Sequence, residues 1–123
     1  MPGRIQGDLP ERTLSFALSL LEATEQLPSG TRGWVVGKQL LRSGTSIGAN
    51  IREAGEALTD AEFAHRCSIA RKEASETQYW LMLCEKAGLL TDPVCRPLLA
   101  EAMELTKILA TIVHKTQDHM SRK

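Results

Sequence analysis

The sequence contains few aromatic residues, which make up only 4% of its 123 positions. A core built from this chain must therefore be aliphatic and rich in alanine, a composition that suits closely packed helices. The chain also carries no net charge, because fifteen basic residues balance fifteen acidic ones. Dedicated nucleic-acid-binding domains usually carry a basic surplus, so this balance argues against that class of protein.

Long apolar runs and a disulfide framework are absent as well. No apolar run is long enough to cross a bilayer, and the N-terminal MPGRIQGDLPER has no apolar segment of the kind found in signal peptides. Three cysteines without CxxC spacing are typical of a reducing compartment, and we interpret them as small core residues. We therefore expect a cytoplasmic protein that does not associate with membranes.

No motif in the sequence identifies a reaction. The segment GTRGWVVGKQ departs from a phosphate-binding loop, because Arg32 and Gln39 stand where that motif needs glycine and a hydroxyl residue. His65, His114 and His119 are not spaced as metal ligands. We expect no catalytic residues, no metal and no cofactor.

Helical periodicity is what the sequence does contain. Spacings of four and three alternate along two segments that are joined by a short polar break at Thr59-Asp60, which predicts an antiparallel pair of helices. The residues of the two seams are Leu40, Gly44, Ile47, Ile51, Ala54 and Leu58, and then Phe63, Cys67, Ala70, Ala74, Thr77, Leu81 and Cys84.

Two further helices flank this pair. Asp8 and Asp92 are their predicted N-caps, and Thr31 and Thr59 or Asp60 are those of the inner helices. The predicted apolar faces are Leu14, Ala17, Leu18 and Leu21, supported by Phe16 and Leu20, and then Val94, Leu98, Ala102, Leu105, Leu109 and Ile112, widened by Leu99, Ile108 and Val113. The sequence therefore predicts an all-α fold, an antiparallel up-down-up-down four-helix bundle over residues 10–116. It has a flexible tail at 1–9 and a frayed C-terminus at 117–123.

The second helix contains glycines that allow two interpretations. Gly37, Gly44 and Gly48 either let a neighbouring helix approach closely, or they kink the helix near Ser43-Gly44-Thr45-Ser46. We favour a continuous but bent helix.

A polar stripe on this helix faces acidic residues on the third. Arg42, Ser46, Asn50 and Glu53 are spaced four, four and three, and a hairpin centred near residues 59–60 places Arg42 level with Glu76. We predict an ion pair from Arg42 to Glu76 or to Glu73. Such a cluster is either a polar site with an acid/base pair or a partly buried network that fixes the helix register, and we favour the network.

Two surface features bear on partners. The third helix carries a second stripe that ends in Ile69, Tyr79, Trp80 and Leu83, which would leave a tryptophan at the surface of a monomer and therefore indicates homo-oligomerisation. The basic residues Lys38, Arg66, Arg71 and Lys72 would form a nucleic-acid-binding surface in the alternative interpretation. Acidic residues four positions from Arg66 and Lys72 favour a solvated face instead.

Three segments of the chain are familiar: RTLSFALSLLEA (12–23), KQLLRSGTSIGANI (38–51) and EFAHRCSIARKEASETQYWLMLCEKAGLL (62–90). Together they resemble the bacterial four-helix bundle protein family. Its members include proteins encoded in intervening sequences of large-subunit ribosomal RNA genes, also called S23-type ribosomal proteins. The resemblance implies a bundle that assembles into a ring, typically a homopentamer. It implies no catalytic role for the shared positions, which here are Arg42, Ser46, Asn50, Glu53, Glu73, Glu76 and Trp80.

The family is similar in fold to the accessory protein of diversity-generating retroelements, which looks like a basic pentameric barrel that binds nucleic acid and a reverse transcriptase. This chain differs from it in having no net charge, and from the family in having Arg52 where an acidic residue is common. We therefore expect a non-enzymatic, homo-oligomeric scaffold or adaptor. The alternative is an accessory protein that binds RNA, DNA or an enzyme acting on nucleic acid.

Overall fold

The computed structural model describes residue 5 and residues 7–122, and it has four helices. They are α1 (Leu9–Thr24), α2 (Thr31–Gly55), α3 (Asp60–Lys86) and α4 (Asp92–Ser121). Each helix packs against the next in the chain, and α1 also touches α4, as in an up-down bundle. The predicted all-α fold is confirmed.

The ends of the chain differ from the predicted boundaries. Residues 1–4 and 6 of the predicted tail, and residue 123, lie outside the described residues. Ile5 packs against the core, and Leu9 is already a buried residue of α1. The segment expected to fray at 117–123 is instead helical as far as Ser121, where α4 ends.

The core is built from all four helices, and the predicted seam of α3 is confirmed at every position from Phe63 to Cys84. The seam predicted for α2 is buried from Leu40 to Ala54 but is wrong at Leu58, which is 90% exposed. α2 ends at Gly55, so Leu58 lies in the turn, and Ala57 is the residue buried there instead.

The face predicted for α1 is confirmed at Phe16 and Leu20, which are buried, and wrong at three of its leucines. Leu14, Leu18 and Leu21 point outward and are about half exposed, with 56%, 54% and 47% of their surface accessible. The face that packs inward consists of Leu9, Thr13, Phe16, Leu20 and Ala23. α1 therefore has two apolar stripes, and only one of them is covered within the monomer.

Glycines of α2 pack against the covered stripe of α1. A Cβ atom added at Gly44 would overlap the side chain of Leu20, and one added at Gly48 would lie 3.1 Å from the Thr13 hydroxyl oxygen. These contacts support the close-approach interpretation of the glycines. α2 is continuous from Thr31 to Gly55.

The turn between α2 and α3 is held by a side-chain cap. Thr59 is the N-cap of α3, as predicted, and its hydroxyl accepts a hydrogen bond from the Glu62 N–H at 3.1 Å. The Glu62 carboxylate in turn accepts from the Leu58 N–H at 3.2 Å. These reciprocal bonds satisfy backbone donors at the start of α3.

A glycine just past the end of α3 forms the turn to α4. Gly88 has a left-handed φ of 69°, and the Leu89 N–H donates to the Cys84 carbonyl at 2.9 Å, which completes a Schellman motif. The N-cap of α4 is Thr91 and not Asp92, which is already the first helical residue. The N-cap of α2 is likewise Gly30, one residue before the predicted Thr31.

Across the described residues, no helix combines the length and the apolar content that crossing a bilayer requires.

Candidate functional site

Arg42 is the centre of a polar cluster between α2 and α3. Its Nη1 atom donates to Glu73 Oε2 at 3.1 Å, and its Nη2 atom contacts Glu76 Oε2. Its Nε atom donates to Gln39 Oε1 at 2.9 Å, and the Trp80 indole N–H donates to the same Glu76 oxygen at 2.9 Å. Arg42 therefore pairs with both of the carboxylates that were predicted as alternative partners.

The cluster lies closer to solvent than the partly buried network predicted from the sequence. The Arg42 side chain is 47% exposed, whereas those of Glu73 and Glu76 are 17% and 37% exposed. Water competes for these charges, so the ion pairs contribute about 0–1 kcal/mol each to stability. They fix how α2 and α3 align more than they strengthen the fold.

The rest of the predicted stripe bonds mainly to its own helix. Ser46 Oγ donates to the Arg42 carbonyl at 2.8 Å, and Asn50 Nδ2 donates to the Ser46 carbonyl at 2.9 Å. Asn50 Oδ1 also accepts from Arg66 at 3.4 Å, a long contact. Glu53 is exposed and makes no contact with the network within the described part of the chain.

A buried pair of hydroxyl groups beside this cluster was missed from the sequence. Ser43 and Thr77 are fully buried, their side-chain oxygens are 2.9 Å apart, and Thr77 Oγ1 also lies 2.8 Å from the Glu73 carbonyl. A hairpin centred near residues 59–60 places Ser43 and Thr77 nearly level with each other. The same register that pairs Arg42 with Glu76 could therefore have identified this contact.

Ion pairing engages the carboxylates of the cluster, and burial shifts the pKa of two thiols elsewhere on α3. Arg42 engages both carboxylates, and burial raises the pKa of the Cys67 thiol to about 11, so this group is protonated at neutral pH. Burial, with the neighbouring Cys95, likewise raises the pKa of Cys84 to about 11. Within the described residues, no three acidic, histidine or cysteine side chains are grouped to hold a metal ion. The cluster is suited to ion pairing and alignment.

The residues predicted to form an oligomer interface share the outer side of α3. Tyr79 is 56% exposed, whereas Ile69, Trp80 and Leu83 are partly buried. The Tyr79 and Trp80 rings pack edge to face, with centroids 5.0 Å apart and an interplanar angle of 78°. We call these four residues the α3 ridge.

The basic residues predicted for nucleic-acid binding are not gathered on one surface. Arg66, Arg71 and Lys72 point in three directions around α3, because each residue of a helix turns the side chain by about 100°. Lys38 lies on α2, where its ammonium group sits 5.2 Å from the centre of the Trp34 ring.

A second apolar surface, which was not predicted, runs between α1 and α2. Two cavities of about 310 Å³ and about 520 Å³ lie along it. Trp34, 67% exposed, stands at one end, and the exposed Leu14 lines the other. We call this surface the α1/α2 groove, and its wall residues are Pro10, Leu14, Ala17, Thr24, Leu27, Trp34, Lys38, Leu41, Thr45, Ala49 and Arg52.

Comparisons with known proteins support the family resemblance. The solved structure of a protein of unknown function from the S23 ribosomal protein family of Bacteroides thetaiotaomicron is 38% identical in sequence. The similarity covers 85% of this chain and 97% of that one, with a TM-score of 0.80. No curated protein matches the chain.

The match to a family model covers nearly the whole bundle. The model described as 23S rRNA-intervening sequence protein matches residues 8–111, which extend from the N-cap of α1 through the first two thirds of α4. This chain therefore belongs to the 23S rRNA-intervening sequence protein family.

Proposed function

We propose that this protein is a non-enzymatic, homo-oligomeric scaffold of the cytoplasm that assembles into a closed ring, with five copies the expected number. The observation that carries the proposal is the apolar surface left uncovered by the monomer. Leu14, Leu18 and Leu21 are about half exposed on α1, and Trp34 and Tyr79 are exposed on α2 and α3. Contiguous apolar surface of this kind is typical of protein interfaces.

The positions of these residues support a ring over a simple dimer. The α1/α2 groove lies between α1 and α2, whereas the α3 ridge lies on α3, so the two surfaces are different parts of the bundle. When two different surfaces of one chain pack against each other, the contact runs head to tail, and it forms a ring when the rotation between copies closes. Five copies are the number implied by the family resemblance.

The chemistry of the polar cluster is consistent with a structural role. Its carboxylates are engaged by Arg42 and Trp80, and its two buried hydroxyl groups are hydrogen-bonded to each other. A group poised for acid/base chemistry would need a free proton site facing a substrate. The cluster instead aligns α2 with α3.

Native mass spectrometry of the purified protein, prepared without nuclease, tests the proposal. Five copies of the 13.5 kDa chain would support the ring. A monodisperse monomer at micromolar concentration would contradict it. The alternative function, an accessory protein bound to nucleic acid, would be seen as additional heterogeneous mass that nuclease removes.

A further inference from the structure

The charges along the α1/α2 groove are all of one sign. None of the residues that line its two cavities is acidic, although the chain has fifteen Asp and Glu residues. Lys38 lines one cavity and Arg52 the other, and no described carboxylate forms an ion pair with either. The groove is thus apolar along its length and has a cation near each end.

These cations belong to a regularly spaced set on α2. Lys38, Thr45 and Arg52 are seven residues apart, so they lie on one side of the helix. With a rise of 1.5 Å per residue, Lys38 and Arg52 are about 21 Å apart along the axis. Thr45 is exposed midway between them, next to the small residues Gly48 and Ala49.

The outer side of α3 carries a matching set of opposite charge. Glu62, Ile69 and Glu76 are also seven residues apart, which places the two carboxylates about 21 Å apart with an apolar residue between them. Glu62 is exposed, although its Oε2 accepts from the Leu58 N–H. Glu76 Oε2 is bound by Arg42 and Trp80, and the Glu76 side chain keeps 37% of its surface accessible. The two sets agree in spacing and are complementary in charge.

We propose that the α1/α2 groove receives α3 of a second copy of this chain. The helices run antiparallel, so that Glu76, Ile69 and Glu62 of the second copy face Lys38, Thr45 and Arg52. This inference rests on the proposed homo-oligomer and names its contact surfaces. Each copy offers a groove on one side and an α3 ridge on another, which is the arrangement that a ring requires.

The aromatic residues favour the antiparallel direction. In that alignment Trp80 of the second copy lies level with Trp34, which is 67% exposed in the monomer. A parallel alignment of the same charges would place Trp80 level with Glu56, beyond Arg52 and the groove. Tryptophan is enriched among the residues that contribute most of the binding energy at protein interfaces.

Two blocking variants test the contact surfaces. Thr45→Arg fills the middle of the groove and leaves the α3 ridge intact, whereas Ile69→Lys alters the ridge and leaves the groove intact. Each variant alone should be monomeric by native mass spectrometry. A mixture of the two should form a dimer and nothing larger, because only one intact groove and one intact ridge can meet. Circular dichroism checks that each variant is folded.

Thr111→Arg is the matched control. Thr111 is exposed on α4 and its hydroxyl bonds to the carbonyl four residues earlier, as that of Thr45 does. This variant should assemble like the wild-type protein. If Thr45→Arg also remains in the ring, the groove is not the contact surface and the inference fails, although the homo-oligomer stands. A monomeric wild-type protein would overturn both proposals.

Charge reversal tests the direction of the helices. Arg52→Glu and Glu62→Arg should each weaken association about tenfold at low salt, and the two together in one chain should restore it. The parallel alignment pairs Glu62 with Lys38 instead. If Glu62→Arg associates again when it is combined with Lys38→Glu, but not when it is combined with Arg52→Glu, the antiparallel inference is wrong.

Discussion

Arg12 and Glu101 form a two-pronged ion pair that joins the first helix to the last. Arg12 Nε lies 2.7 Å from Glu101 Oε2, and Arg12 Nη2 lies 2.7 Å from Glu101 Oε1. The hydrogen bond that Arg12 donates to the Glu101 carboxylate raises the pKa of Arg12. α1 packs far less extensively on α4 than on α2, so this ion pair is a main contact between α1 and α4.

Replacing Arg12 with lysine should therefore destabilise the protein. Lysine keeps the charge but cannot present two parallel donors to one carboxylate, so we expect Arg12→Lys to lower the free energy of unfolding by about 0.5–1.5 kcal/mol. Urea denaturation measures the change. Arg122→Lys is the control, because Arg122 and its partner Asp118 are 77% and 51% exposed. An equal loss in both variants would show that the geometry at Arg12 is unimportant.

Adding a methyl group at Gly44 should separate α1 from α2. The new Cβ would overlap the Leu20 side chain, which is fully buried and cannot move into solvent. We expect Gly44→Ala to lower the free energy of unfolding by about 1–3 kcal/mol. Gly55→Ala has no atom within 4 Å of the new Cβ and should leave stability unchanged or raise it by up to about 1 kcal/mol. Thermal denaturation of both variants compares them, and a stable Gly44→Ala protein would contradict the close approach.

The buried hydroxyl pair should show coupling between its two members. Thr77→Val and Ser43→Ala each leave the other hydroxyl without its partner across the helices, at a cost of about 1–2 kcal/mol. The double variant removes both groups and should cost less than the sum of the single variants. A double-mutant cycle in urea measures this difference. If the two single-variant losses simply add, the hydroxyl groups are not coupled, and the hydrogen bond that each makes within its own helix is sufficient.

The buried thiols should make stability fall at alkaline pH. The folded protein holds the pKa of Cys67 and Cys84 at about 11, above the ordinary value of 9.0 that they regain on unfolding. Their contribution is therefore complete below about pH 9 and is lost as pH rises from about 9 to about 11, by about 1.4 kcal/mol per pH unit for each thiol.

The Cys67→Ala variant checks this dependence. It should flatten the decline of the urea midpoint between about pH 9 and about pH 10 by roughly half, whatever its effect on stability at neutral pH. Cys95 also has a raised pKa, from burial and then from Glu85 and Asp92, and it adds to the remaining slope. If the variant declines as steeply as the wild-type protein, other groups cause the loss.

The sequence predicted α3 best because that helix has one continuous small and apolar seam. The seam begins with Phe63, Cys67 and Ala70, and no other stripe of α3 is small and apolar along its whole length. Periodicity was therefore sufficient to place the helix in the core. The pairing of Arg42 with Glu76 followed from the turn at Thr59, since a short turn fixes the register of an antiparallel pair.

The errors arose where tertiary contacts decide between equivalent patterns. In α1 the stripe containing Leu14 is as apolar as the one containing Leu20, and only the position of Gly44 on α2 distinguishes them. The α1/α2 groove was missed for the same reason, because it exists only once α1 is rotated correctly. Leu58 continued the period of α2 in the sequence, but α2 ends before it.

The glycine contact between α1 and α2 also has a consequence for synthesis. α1 emerges from the ribosome before the glycines that receive Leu20, and long before Glu101 can bind Arg12. At 5–20 residues per second, roughly 5–20 seconds separate the synthesis of Arg12 from that of Glu101. Until the glycines of α2 have emerged, both apolar stripes of the nascent helix are uncovered. α1 is therefore a segment that a chaperone specific for exposed apolar side chains would bind during translation.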